Sequence, residues 1–381
     1  MKTRFIEGII TTVAPLHVAA FEEASKNAKG ENIKRTTSMQ FVTDHGLNRV
    51  PVFPANDLRG RMRRVAAAAV METLKPVPID VYQTLTTGAA GISKEAESIK
   101  LHIESREDIY LGLFGGGNRI FQSGMRVSAV TPVTHATMSA GLVSDKHASA
   151  IVGRYTDEHG SVIVKNLTNT YSFSKVDNVL RGNDHTMPET ILNYEEVAYE
   201  YASGVAQHGA DRREVEEKKK ALMQQIREET DPIKKVELRA EMASIESVKK
   251  SDNAMIFAVE AIMPGVPMHV RIDFDEHLTD AQVFFAARCL LEVLNNPIGG
   301  LASRGFGKVK IERMNLVEDG VAKPLYVRDE EAGKCYVNGE NIPGEDKHQE
   351  QLAAYSIERV RRLLTGDENA DAEKKAKKVK A

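Results

Sequence analysis

Three groups of residues in the 381-residue chain have types and spacings that could do chemistry. The densest is cationic. Within Pro51 to Val65 stand Arg59, Arg61, Arg63 and Arg64, and the residues within one helical turn of them are nearly free of acid. Planar guanidinium groups bind phosphate oxygens with charge-assisted hydrogen bonds, and a row of them is the usual electrostatic footprint of a nucleic-acid site. The plainer reading, a helix neutralised by acidic neighbours, needs acids that the local sequence does not supply. Acidic surfaces of other subunits are the alternative partner.

The second group is a pair of glycine turns. Gly115-Gly116-Gly117-Asn118-Arg119 and Gly299 to Gly307 each combine small residues with an arginine. Bare backbone amides in such turns can meet phosphate; taken alone, either turn is as well explained as a tight corner. The first lacks the Gly-Lys-Ser/Thr ending of a P-loop, and the second follows a helix where a dinucleotide fingerprint follows a strand. From these turns the RNA-contact candidates are Gly116, Asn118, Arg119, Ser303, Arg304 and Lys308. Asn56 joins the four helix arginines, and Arg35, Ser38, Lys175 and Arg181 are drawn from polar segments elsewhere. The run Arg304-Gly305-Phe306-Gly307-Lys308-Val309-Lys310-Ile311 nearly spells the RNA-recognition signature. Lys308 and Ile311 stand where that signature stacks aromatics on bases, so contact with RNA here would be electrostatic.

The third group, carboxylates and imidazoles, is thin. His102-Ile103-Glu104 has no Pro-Cys-x-x-Cys partner, which excludes a zinc deaminase. Asp273 and Asp275 share a strand face and could hold a metal, but a solvent-facing strand accounts for them better. Asp44-His45 precedes the basic helix, where chemistry on RNA would be possible; a polar turn is favoured. The chain is expected to need no metal or cofactor and to catalyse nothing.

Net charge is −3, so nucleic-acid binding must come from segregated arginines. Cys289 and Cys335 are too far apart for a metal knuckle, and without an export signal they read as reduced thiols in a cytoplasmic protein. Val283 to Leu294, the longest apolar stretch, is interrupted by Arg288 and Glu292 and does not suit a membrane span.

The elements that must carry these groups are legible in part. Phe5 to Val13 reads as a strand. Asn56 is the expected N-cap of a helix whose Leu58, Met62, Val65 and Ala69 face inward. Arg59 and Arg63 then lie on one flank, Arg61 and Arg64 on the other. Met255 to Ile262 and Met268 to Phe274 read as paired strands, the second alternating apolar with charged residues. Thr279 and Gln282 form a capping box for a helix through Leu294, and a last strand covers Lys308 to Arg313. The dense charge of Glu195 to Lys250, with Asp231-Pro232 inside it, predicts a helical hairpin. Strand–helix at one end and strand–strand–helix–strand at the other predict an α+β fold with a ferredoxin-like, RRM-like core. The ferredoxin-like core takes residues 1–93 and 251–320, insertions 94–192, the hairpin 193–250, and a C-terminal extension with a lysine-rich tail 321–381.

These residues also resemble a known family. Pro51-Val52-Phe53-Pro54-Ala55-Asn56-Asp57-Leu58-Arg59-Gly60 is similar, without a gap, to the Pro-x-Ile-Pro-x-Ser-Ser-Leu-Lys/Arg-Gly pattern of the RAMP superfamily, the repeat-associated proteins of CRISPR systems. Gly8 to Val18 resembles that superfamily's first strand, Leu113-Phe114-Gly115 its Leu-Phe-Gly segment, and Gly299 to Val309 its C-terminal glycine loop. The resemblance, closest to type IV, implies a guide-RNA-binding backbone subunit that polymerises as a filament along CRISPR RNA with other subunits and presents it to a target strand. It implies that the core is a palm and that the insertions 94–192 are finger and thumb. It implies that Arg59, Arg63 and the Arg304 loop hold guide phosphates, and that a thumb hairpin, placed at Val162 to Arg181, presses between nucleotides. Asn56-Asp57 replace the family's two serines. The catalytic aspartate of type III relatives could correspond only to Asp44, at a short spacing and without the glycine pair. An endoribonuclease using Asp44 and a protein-interaction scaffold without nucleic acid are the rival readings.

Overall fold

The computed structural model describes residues 3–20, 25–26, 32–44, 46–88, 99–116, 121–152, 167–175 and 255–365, together with 217–218, 220–226, 228, 234–235 and 238. In chain order it begins with β1 (Arg4–Thr12), β2 (Ser25–Lys26), β3 (Asn32–Lys34), β4 (Ser38–Thr43) and β5 (Gly46–Pro51). Helices α1 (Ala55–Leu74), α2 (Ile79–Thr87), α3 (Ile99–Glu107) and α4 (Leu111–Phe114) follow. Next come β6 (Met125–Val127), β7 (Thr131–Pro132), α5 (His135–Ser139), α6 (Ser149–Val152), β8 (Thr168–Lys175), β9 (Met255–Ile262) and β10 (Pro267–Phe274). The last part holds α7 (Asp280–Asn295), β11 (Val309–Glu318), β12 (Val321–Pro324), β13 (Tyr326–Asp329), β14 (Lys334–Val337), α8 (Glu345–Ala353) and α9 (Ile357–Val360).

The chain is α+β and divides into two units, Met1–Tyr171 with Ala258–Ala381, and Ser172–Phe257. The first is built on an antiparallel sheet of order β12-β11-β1-β10-β6. Its strands and helices run β1-α1-β6, then β10-α7-β11, which is βαββαβ connectivity. Period-two side-chain alternation decides what each face carries. Ile6 lies level with Ile272 and Leu316, and Gly8 with Val270 and Met314; all but the glycine are buried in the main core, to which α1 and α7 contribute. Gly8 has no room for a Cβ, because the β11 backbone at Arg313 and Met314 passes against it. Phe5, Glu7 and Ile9 point the other way.

Helix α7 is buried almost all round and carries the expected capping box, Thr279 with Gln282. Fully buried Phe285 alone contributes on the order of 1.5–3 kcal/mol.

Four expectations need correction. Strand β9 does not pair with β10 but runs parallel to β3 in a separate sheet. The cause is Thr12: it accepts from Gly265, donates to Val266 O and, through its hydroxyl, to Met263 O, so the chain bends around it. The palm is not confined to 1–93 and 251–320, since β6, from the middle of the chain, is the strand that pairs with β10. Nor is the region after residue 320 an appendage: Leu325, Cys335, Ile342, Leu352, Tyr355 and Val360 belong to the main core. Asn56 is not the N-cap of α1. Pro54 occupies that position with φ −62° and ψ 144°, and its carbonyl accepts from Asp57 and Leu58; proline's fixed φ starts the helix two residues early.

In the second unit the described residues between 217 and 238 are helical, with Leu222 buried and Gln224 donating to Glu228 one turn on. The Asp231-Pro232 break and most of the proposed thumb lie outside the described residues, as do Asn118, Arg119, Arg181 and His45. No helix of the described residues is long and apolar enough to cross a membrane.

Candidate nucleic-acid interface

Helix α1 sets the site by its periodicity. Leu58, Met62, Ala66, Ala67, Val70 and Leu74 are buried along one stripe, which leaves the arginines of the first three turns on the flanks. The two flanks reach different glycine turns. Arg59 Nη2 donates to Phe114 O at 2.5 Å and Arg63 Nη2 to the same oxygen at 2.8 Å, with Arg63 Nη1 on Thr87 O at 3.4 Å. On the other flank Arg61 donates to Gly299 O at 2.6 Å and Pro297 O at 3.2 Å. Arg64 is exposed and has no hydrogen bond or ion pair among the described residues. One helix thus staples both glycine turns to the palm.

Every one of these bonds ends on a neutral carbonyl. No carboxylate bonds to Arg59, Arg61 or Arg63 among the described residues, and the Nε atoms of Arg59 and Arg63 are buried without a partner. Burial and then the charge of Arg63 push the Arg59 guanidinium below its ordinary value. Arg61 shifts the same way by burial and the charge of Arg64, against a smaller opposing effect of Asp57. The result is a half-buried positive charge that no carboxylate among the described residues pairs with.

The glycine amides do not serve as expected. Gly115 N donates to Leu111 O and Gly116 N to Phe121 O, while Gly300, Gly305 and Gly307 donate to His17, Ala302 and Pro15 carbonyls. These five amides are taken by backbone carbonyls, within the turn, from α4 or from the segment after β1, so these glycines supply shape rather than free donors. At Gly115 (φ +60°) and Gly307 (φ +85°) a Cβ would collide with Phe121 O and Ile298 O. Leu301, at φ 62°, is a non-glycine residue held left-handed in the second turn.

The remaining candidates scatter. Ser303, Arg304 and Lys308 are exposed on the second glycine loop, and Asn56 is exposed beside the helix start. Ser38 accepts from Arg49 Nε at 2.5 Å, so its hydroxyl is already engaged within the β4–β5 hairpin. Arg35 is exposed after β3, and Lys175 ends β8. Phe306 is buried edge-on to Tyr171, centroids 5.4 Å apart, and offers no stacking face to a base. Asp44 is exposed at the tip of the β4–β5 hairpin, and His102 packs on Phe121. Asp273 and Asp275 are paired with Arg271 and Arg126, which removes them as metal ligands.

Sequence reading missed a buried polar cluster on the other sheet face. Glu7 Oε1 lies 3.0 Å from His269 Nε2 and 3.2 Å from His147 Nε2, and Lys146 bonds its second oxygen. Burial alone would raise the Glu7 pKa, but the bonds from His147, His269 and Lys146 bring it far below the usual carboxylate range. The trio has metal-ligand types, but its surroundings do not suit a cation. Arg313 Nη2 sits 2.6 Å from His147 Nδ1; an arginine only donates, so the imidazole proton is on Nε2, aimed at Glu7. Lys146 and Arg271 add positive charge nearby. The cluster instead fastens the segment carrying α5 and α6 to the sheet, beside the apolar contacts of Ile9, Val133 and Val143. The trace of it in the sequence is a glutamate in the apolar middle of β1, between Ile6 and Gly8.

No family model matches the chain, and no curated protein does. Among solved structures it is similar to a chain of a type IV-B CRISPR complex, with a TM-score of 0.45 and 14% identity over 84% of this chain and 93% of that one. Likeness at that level fixes neither family nor activity.

Proposed function

We propose that the chain binds single-stranded RNA across α1 and its two flanking turns, as a repeated backbone subunit of a CRISPR-type ribonucleoprotein. In this reading it polymerises along guide RNA with other subunits, presents the bases to a target strand, and leaves sequence selection to pairing. It performs no catalysis of its own. The observation that carries the proposal is the charge surplus on α1: three half-buried guanidinium groups fixed on carbonyl oxygens, with Arg64 exposed beside them. Keeping like charges close and partly dehydrated is costly, and a polyanion offsets the cost. The motif resemblance of residues 51–60, 113–115 and 299–309 supplies the choice of guide RNA.

The test is the 260/280 nm absorbance ratio of the purified protein before and after RNase. With no Trp and ten Tyr, its own absorbance at 280 nm is small, so bound RNA dominates the spectrum. A high, RNase-sensitive ratio with RNA of defined length is expected. A protein-like spectrum that persists when a CRISPR RNA is co-expressed rejects the proposal in favour of an interaction scaffold. Cleavage of a complementary strand that disappears in Asp44→Ala would replace it with the endoribonuclease reading.

A further inference from the structure

Beside the second clamped turn, the end of α7, the start of β11 and the β13–β14 hairpin enclose a cleft of about 470 Å³. We propose that this cleft binds a nucleotide. The inference does not depend on the guide-RNA reading.

The lining divides by chemistry. Val13, Pro297, Val309 and Ile311 supply an apolar wall, while Lys308, Lys310 and Arg328 supply cations. No carboxylate lines the cleft. The Lys308 side chain has no hydrogen bond or ion pair among the described residues, while its carbonyl accepts from Val13 and Ala14. Lys310 reaches Glu312 only at 3.3 Å, with both side chains partly in solvent. Arg328 spends Nη2 on Ile311 O at 2.8 Å, which fixes its head at the cleft. Backbone and side-chain bonds of the fold hold the frame. Asn295 closes a two-way amide pair with Cys335, Nδ2 on Cys335 O and Cys335 N on Oδ1, each 2.9 Å, joining the hairpin to the helix end. Val13, 48% exposed, leaves an apolar surface uncovered at the cleft.

A bare anion would use the cations and waste the wall; an apolar molecule would do the reverse. A nucleotide uses both, and the volume falls within the range of small-molecule sites. The same chemistry is offered by a free mononucleotide and by one residue of an RNA strand.

The chain has no tryptophan, so Val13→Trp places a single fluorophore at the cleft. AMP and UMP are expected to quench it saturably, at least tenfold more tightly than inorganic phosphate or uridine. Adding Lys308→Glu and Lys310→Glu should weaken that quench tenfold or more. Calorimetry of AMP with the unsubstituted chain repeats the measurement without the tryptophan. If AMP suffices, the ligand is a free nucleotide. If an RNA hexamer binds tenfold tighter and loses that advantage in Arg64→Glu, the cleft takes a residue of the strand. No saturable signal from either, an undiminished quench in the charge-reversed chain, or phosphate binding as tightly as AMP overturns the proposal. Because RNA carried on α1 is read separately by absorbance, failure here leaves the proposed function standing.

Discussion

Arginines gather in two regions of this molecule and meet opposite fates. On α1 they bond to carbonyl oxygens of the glycine turns. In the C-terminal segment each meets a carboxylate: Arg359 with Asp108 at 3.1 Å, Arg361 with Asp80 at 3.1 Å, Arg362 with Glu104 at 2.8 Å. Both sets hold distant parts of the chain together. Only the second set neutralises itself. A count of arginines therefore says little about nucleic-acid binding, and the identity of the acceptor says much, because an arginine on a carbonyl keeps its charge for a third party.

The largest expected effect lies in the neutral region. Asp108 is buried and accepts from the Tyr110 and Leu111 amides, from the Tyr355 hydroxyl at 2.6 Å and from Arg359. Asp108→Ala should cost about 3–5 kcal/mol in urea denaturation, the usual range for breaking a buried pair, without altering the salt dependence of RNA binding. A loss under about 1 kcal/mol would mean that the C-terminal arginines are ornamental and the contrast is false.

Next comes His348, against which a further arginine is placed. Arg288 Nη1 lies 3.4 Å from its Nε2, and Phe284 and Phe285 pack on the ring. Burial and then Arg288 push its pKa down to about 4 from the ordinary 6.5. Between those two pH values the unfolded chain takes up the proton and the folded chain does not. Its contribution to stability is therefore whole above pH 6.5 and drains as pH falls towards 4, by roughly 3 kcal/mol in total. Denaturation of His348→Phe should show a shallower loss over that window; an identical profile would detach His348 from the acid response.

Smaller, but aimed at the charged region, is Arg64→Ala. Because Arg64 is exposed and unpaired among the described residues, stability should stay within about 0.5 kcal/mol. The slope of log affinity for RNA against log salt should fall by about 0.7. Arg59 and Arg63 are poorer probes, since removing them also releases Phe114 O and disturbs the turn. An unchanged slope would leave α1 as a staple and nothing more. The smallest effect is expected at Leu301, whose left-handed backbone is strained for any residue but glycine. Leu301→Gly should raise thermal stability by up to about 1 kcal/mol, and a clear loss would show that its side chain matters more than its φ.

Much of the frame was legible because it rests on period and caps. The β10 alternation and the Thr279–Gln282 box are local patterns, and the structure holds both; of the expected α1 stripe, Leu58 and Met62 are buried while Val65 and Ala69 are half-buried against the core. The flank assignment also survived: Arg59 and Arg63 go to one glycine turn and Arg61 to the other. What escaped has a common cause, since it depends on partners far along the chain. The residues of β6 read as a strand, around Met125 to Val130, but its place in the main sheet is set by β10, which pairs with it from far along the chain. Tyr355 and Leu352 sit in polar sequence and become core by docking. The closure of the glycine amides could not be read from composition, because glycine marks a turn without saying what its N–H meets.

The placement of β1 has a consequence for how the chain is made. Val266 N bonds Thr12 Oγ1 across 254 residues, and β1 is flanked on both sides by strands that follow that point. At ribosomal rates of about 5–20 residues per second, the first strand waits roughly 13 to 50 s for its neighbours. During that interval both hydrogen-bonding edges of β1 stay open, and the arginines of α1 have not met Gly299. Folding of this sheet is thus held back until β10 and β11 have been made, and a product that stops before them carries an unpaired strand and an unclamped basic helix.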